Sequence, residues 1–167
     1  MDICFKPIGV VHTYADRDKV KKTYFGVEGV IEVFSEYEDG LAGIEDFSHI
    51  IVVAYLHGVS EQQRRVLRVK PRRFKRFGIE IEDLPEVGVF CTDSPHRPNP
   101  IALSIVKLIE RRGCFLRVSG LDLFDGTPVL DIKAYTPSRI VSPVRVPEWY
   151  VRLEERIRNV FGKIGYV

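Results

Sequence analysis

The chain lacks any apolar run near the ~18 residues that a membrane-spanning helix needs, and no signal peptide opens it. A cytoplasmic protein without a membrane partner is therefore expected. Cysteine is scarce: Cys4, Cys91 and Cys114 are odd in number and lack metal-type spacing, so reduced intracellular thiols are expected. The histidines His12, His49, His57 and His96 are far apart and show no H-x-x-x-H pattern, which argues against a metal centre. A G-x-G-x-x-G turn after a strand is missing, which removes a Rossmann-type cofactor site. Ser94, His96 and Asp125 can be assembled into a triad on paper, but nothing resembles a nucleophile elbow, and hydrolysis is disfavoured. Asn and Gln together number only four, while Arg and Glu are plentiful, a lean toward a thermophilic source. There is no internal repeat and no low-complexity segment.

What is present reads as one domain of 167 residues, 45% hydrophobic and 29% charged, long enough for a single core. Ile8, Val10 and Val11 lead to His12 in a β-rich opening, and Glu28 to Tyr37 alternates with period two. A turn with one helical turn is expected over Glu38 to Gly43. Phe47 to Leu56 is a continuous apolar run, which predicts a central strand buried on both faces. Three more strands follow in close succession between Ile101 and Tyr135, divided at Arg112-Gly113 and at Asp125-Gly126. Asp-Gly between hydrophobic runs predicts a hairpin, because both turn positions need positive φ. So many close strands with almost no helix imply a mainly β fold, either a closed antiparallel barrel or a sandwich. The tail differs. Pro147 can start a helix, and Trp149, Leu153, Ile157, Val160, Phe161 and Ile164 then recur at helical spacing. Gly162 and Gly165 would end it, and the apolar stripe would pack on the barrel or on a dimer partner.

Three of the ten prolines, Pro95, Pro98 and Pro100, stiffen the stretch Val89 to Ser104. A strand over Val87 to Cys91 is expected to feed it, and the apolar run Ile101 to Ile109 leaves it. Such a stretch is either a Pro-rich connector or a rigid mount for ligand donors, among them His96, Arg97, Asn99 and Ser104.

Gly88-Val89-Phe90-Cys91-Thr92-Asp93-Ser94-Pro95-His96-Arg97-Pro98-Asn99-Pro100-Ile101-Ala102-Leu103-Ser104 resembles the signature of the TsaA-like (TrmO) family. Phe47-Ser48-His49-Ile50 through Leu56-His57 precedes it, and Leu121 to Tyr135 follows, in the order the family requires. The resemblance covers roughly residues 5 to 137. It favours the closed antiparallel β-barrel, a domain expected over 1–145, with the C-terminal α-helix read from the tail's own spacing over 146–167. It further implies a homodimer that transfers a methyl group from S-adenosyl-L-methionine to N6 of threonylcarbamoyl-adenosine in tRNA, beside the anticodon. Leu56, His57, Leu103, Phe124, Asp125, Gly126 and Thr127 match cofactor-contacting positions. Asp93 stands where members usually have Arg, in a Thr-Arg-Ser triplet that contacts the cofactor. The family's Pro-Arg-Gln segment after the first strand is absent, and Lys21 to Gly26 runs almost directly into the second strand. The N6 of a carbamoylated adenosine is a poor nucleophile until its proton is lost, and either His57 or Asp125 would take it. The competing reading is a non-catalytic RNA- or nucleotide-binding barrel that has lost methyl transfer.

Formal charge is only +2, yet Arg64 to Arg76 holds eight Lys or Arg and no acid. With Phe74 and Phe77 among or beside the cations, this run is a candidate footprint for RNA, through Arg72, Arg73, Lys75 and Arg76, joined by Arg97 of the Pro-rich stretch. Glu80, Glu82, Asp83 and Glu86 follow and can neutralise part of it. Each phosphate met should contribute about 0.7–0.9 to the steepness of log affinity against log salt. Replacing Arg72, Arg73, Lys75 and Arg76 together by Ala should therefore lower tRNA affinity and flatten that slope, with S-adenosylmethionine affinity unchanged. An unchanged slope in salt-titrated binding would remove the run from RNA recognition.

Overall fold

A computed structural model describes residues 3–71 and 84–161. Six strands close into an antiparallel barrel: β1 (Gly9–His12), β2 (Val27–Val33), β3 (His49–Tyr55), β6 (Ile101–Arg112), β7 (Phe115–Leu121) and β8 (Pro128–Ala134). Around the wall their order is β1-β2-β7-β6-β3-β8, and β8 returns to pair with β1. The short strands β4 (Arg68–Val69) and β5 (Val87–Gly88) pair apart from it. The helices are α1 (Arg17–Lys22), α2 (Glu61–Arg64) and α3 (Glu148–Phe161). Among the described residues no helix is long and apolar enough to cross a membrane.

Alternation explains the wall. Along β6, Ser104, Val106 and Leu108 are buried inside, whereas Leu103, Ile105 and Lys107 face out. Val11, Ile31, Val52, Leu116, Val118 and Val129 fill the same interior from the other strands. β3 is covered on both faces over Ile50, Ile51 and Val52, in keeping with its unbroken apolar run.

The Asp125-Gly126 hairpin does not form, because β7 and β8 are not neighbours. Residues 122–127 instead cross one end of the barrel and deliver β8 to β3 and β1. Only Gly126 has positive φ there (75°), and its N–H donates to the Val11 carbonyl at 2.8 Å. The strand expected over Val87 to Cys91 stops at Gly88. The Thr92 N–H and hydroxyl both donate to the Val89 carbonyl, at 3.2 and 3.0 Å, and curl Val89–Cys91 into a 3-10 turn. Likewise β2 ends at Val33, and Ser35–Leu41 is 3-10 helix.

α3 begins directly after Pro147, whose carbonyl accepts from the Tyr150 N–H at 2.9 Å. It buries Leu153 and Ile157 against Leu84, with Tyr24 and Trp149 alongside, in a cluster separate from the barrel core. At the far barrel end, a hydrogen bond to Glu38 pushes the Cys114 thiol up in pKa. There, too, a backbone hydrogen bond and Arg111 hold the Glu45 carboxyl below its ordinary value.

Strand ends meet tightly where β7 finishes and β2 starts. Gly26 has φ 74°, and a Cβ on it would sit 2.3 Å from the Gly120 carbonyl carbon. Gly26→Ala should therefore lower stability by about 1–3 kcal/mol or more, read as a fall in Tm. Gly40→Ala, with nothing within 4 Å of the added Cβ, should stay within about 0.5 kcal/mol of wild type.

Candidate functional site

The strand register sends three connections to one rim of the barrel. β3 ends there, with Tyr55 opposite Ile101 at the start of β6. Ala54 lies opposite Val129 at the start of β8, and His12 opposite Val30 near the start of β2. Among the described residues the rim therefore carries 13–26, 56–71, 84–100 and 122–127, where most of the candidate residues fall.

Phe124 to Thr127 is pinned to the end of β1. Asp125 is exposed, and its Oδ1 accepts from the Thr13 N–H at 3.0 Å. The Val11 N–H donates to the Thr127 carbonyl at 3.0 Å, and Thr127 is buried at 2% exposure. Phe124 is half-buried against the core. Over its ring lie Arg17 Cζ at 5.2 Å and Lys21 Nζ at 5.9 Å from the centroid. One turn apart on α1, these two cations reach the same ring. Sequence reasoning missed them: the i, i+4 spacing was visible, but nothing local linked α1 to Phe124.

Across the rim, the Leu56 N–H donates to the Pro100 carbonyl at 2.8 Å, which ties β3's end to the Pro-rich stretch. Leu56 packs on the core, and His57 is exposed just beyond it. The stretch itself is latched by its own hydroxyls. The Ser94 N–H donates to Thr92 Oγ1 at 3.2 Å, and the His96 N–H donates to Ser94 Oγ at 3.3 Å. The Ser94 hydroxyl oxygen thus accepts from backbone, and Asp125 accepts from Thr13. Ser104, a candidate ligand donor, is buried and donates its hydroxyl to Asp122. The Arg97 N–H donates to the Pro95 carbonyl at 3.0 Å, and its side chain is half-buried. His49 is half-buried, with Nδ1 2.9 Å from Ser48 Oγ and its ring edge-on to Tyr135.

Not all matched positions converge. Leu103 stands on the outer wall, 67% exposed. Asp93 lines a cavity of about 740 Å³ between the Pro-rich stretch and α3, together with His96, Arg68, Tyr24 and Trp149. Arg72, Arg73, Lys75 and Arg76 lie outside the described residues. Upstream in the same basic run, Arg64 pairs with Glu61 at 3.2 Å and Arg68 with Glu86 at 3.0 Å, so part of that charge is answered within the chain. Among the described residues no three His, Cys, Asp or Glu side chains gather as a metal site.

Residues 19–139 match the family described as the tRNA-methyltransferase O N-terminal domain. The chain belongs to the TrmO family. A protein of Pyrococcus abyssi named a probable S-adenosyl-L-methionine-binding protein is 40% identical over 139 residues, 81% of this chain and 69% of that one. The mouse tRNA (adenine(37)-N6)-methyltransferase is 39% identical over 103 residues, 62% of this chain but only 22% of the mouse protein. A crystal structure of TrmO superposes with a TM-score of 0.64 at 29% identity, covering 87% of this chain and 64% of the TrmO chain. This TrmO-family chain therefore spans less than two thirds of that solved relative.

S-adenosylmethionine presents a flat base, a sugar diol, an ammonium, a carboxylate and a sulfonium, and the rim has groups suited to it. Asp125 has a second carboxylate oxygen for a hydroxyl or ammonium, Arg17 and Lys21 bring positive charge, and Leu56 and Phe124 are apolar. Gly58 and Gly126 have nothing within 4 Å of a built Cβ, so a flat ring can approach their backbone closely. Asp125→Ala should lose the Thr13 bond and cost about 1 kcal/mol in denaturant unfolding, while Asp125→Asn, which keeps an acceptor oxygen, should stay near wild type.

Proposed function

We propose that this chain is an S-adenosylmethionine-dependent methyltransferase whose acceptor is N6 of threonylcarbamoyl-adenosine in tRNA, beside the anticodon. The convergence of Leu56, His57, Phe124, Asp125, Gly126 and Thr127 on one rim carries the reading, because two distant stretches meet only through barrel closure. Relatives named for S-adenosylmethionine binding and for adenine-N6 methylation of tRNA support it. When bound, the cofactor supplies an electrophilic methyl on a sulfonium. The chain's own work is then alignment and proton removal. The Thr13 N–H fixes the Asp125 carboxylate in direction, so it can hold a ribose hydroxyl or the ammonium. His57, exposed at the end of β3, or Asp125 takes the N6 proton.

A homodimer in the cytoplasm belongs to the same proposal. Leu103, Ile105 and Ile101 are 67%, 49% and 37% exposed on the outer face of β6, and a second copy laid there would cover them. That contact would also bring Leu103, a matched cofactor position, under cover. The competing reading, an RNA- or nucleotide-binding barrel without methyl transfer, draws on Asp93 in place of Arg and on the missing Pro-Arg-Gln segment.

Titration calorimetry with S-adenosylmethionine separates the two. Wild type should bind the cofactor, and Asp125→Asn should bind it at least about tenfold more weakly if the carboxylate charge meets the ligand. Normal binding by the Asn variant would rule out a charged contact. Labelled methyl should enter tRNA that carries threonylcarbamoyl-adenosine and not tRNA without it. Labelling of both would refute the finer substrate, and tRNA binding without cofactor binding would favour the competing reading.

A further inference from the structure

We propose that the connection from Tyr14 to Phe25, between β1 and β2, is a docking surface for the RNA partner. Tyr14 stacks on an unpaired base, and Lys19 and Lys22 meet backbone phosphates. The inference rests on the reading of the chain as a tRNA enzyme and adds where the RNA lies.

Three observations carry it. The first is exposure: Tyr14 is fully exposed and Phe25 is 59% exposed, one on each side of α1. An exposed ring such as Tyr14 beside cations offers the stacking and charge that single-stranded RNA takes up, and Phe25 packs edge-on against Tyr24. Charge is the second. The stretch has four Lys or Arg (Arg17, Lys19, Lys21, Lys22) against Asp16 and Asp18, and the Asp16 carboxylate is engaged as N-cap by the Lys19 N–H at 2.7 Å. Position is the third. Arg17 and Lys21 lie over Phe124, and Thr13 holds Asp125, so the surface runs without a break into the candidate site.

The family match begins at residue 19, so Tyr14 and Arg17 lie outside the matched segment. An anionic membrane is the other polyanion such a surface could meet. An interfacial helix needs an apolar face to insert, and the one apolar side chain of α1, Val20, is buried in the barrel core. RNA fits the chemistry better.

The test measures tRNA binding by the full chain at several salt concentrations, with cofactor calorimetry on each variant as a control. Lys19→Ala combined with Lys22→Ala should flatten the log–log salt slope by about 1.4–1.8, two phosphate contacts' worth. Tyr14→Ala should weaken binding about tenfold, and Tyr14→Phe, which keeps the ring, should restore it. Cofactor affinity should be unchanged in all of them, since none of these side chains is among the rim groups placed toward the cofactor. Wild-type slope and affinity in every variant would overturn the docking surface while leaving the methyltransferase reading intact. Wild-type chain that binds no tRNA would sink both. Loss of binding to phosphatidylserine vesicles, with tRNA binding kept, would overturn it in favour of a membrane.

Discussion

The seam between β1 and β8 is the constraint on which the rest depends. It is short, with only Gly9 opposite Val129 and Val10 opposite Pro128 in register. Pro128 brings no N–H, so the ladder must be completed on either side of it. The Ile8 N–H donates to the Val129 carbonyl at 2.8 Å and the Val11 N–H to the Thr127 carbonyl at 3.0 Å, while the Gly126 N–H returns a bond to Val11. Asp125 then takes the Thr13 N–H. The bonds that close the barrel and those that hold the candidate site form one continuous row. Opened at this seam, the sheet would expose two strand edges and release Asp125 together.

Much of this wall was legible, because a barrel strand writes its two faces into alternate residues. β6 reads Leu103, Ile105, Lys107 outward and Ser104, Val106, Leu108 inward, and β3 reads as continuous because both its faces are covered. Pairing across the wall was not legible. Asp125-Gly126 has the composition of a tight hairpin, yet β8 finds its partners in β1 and β3. A turn signal reports only that the chain bends, and two long-range ladders outweigh the local preference. Likewise, Val87 to Cys91 has strand composition, but Thr92 captures the Val89 carbonyl and ends the extension early.

The site divides in the same way. Leu56, His57 and Phe124 to Thr127 were reachable through resemblance, which carries long-range information that composition does not. Thr13, Arg17 and Lys21 were not, since Thr13 meets Asp125 across 112 positions of chain and α1 meets Phe124 across a similar interval. Ser104 shows the converse. A hydroxyl in a ligand-rich stretch looked available, yet alternation turns it inward, where a buried hydroxyl must find a partner and Asp122 supplies one.

Charge at the rim favours one kind of small ligand over another. A site built for phosphate alone would gather cations and exclude acids, because a carboxylate next to a phosphate costs energy that water only partly screens. Here Asp125 sits beside Phe124, whose ring lies under Arg17 and Lys21. A ligand that carries both signs, with an amino group, a carboxylate and a flat ring, can satisfy all of these at once. A nucleotide would satisfy the cations and the ring and offer Asp125 a ribose hydroxyl, but it brings no ammonium to pair with the carboxylate charge. The mixed rim therefore suits a zwitterionic amino-acid nucleoside, and the stretch from Tyr14 to Lys22, where four cations outnumber Asp16 and Asp18, is the part whose charge suits a polyanion.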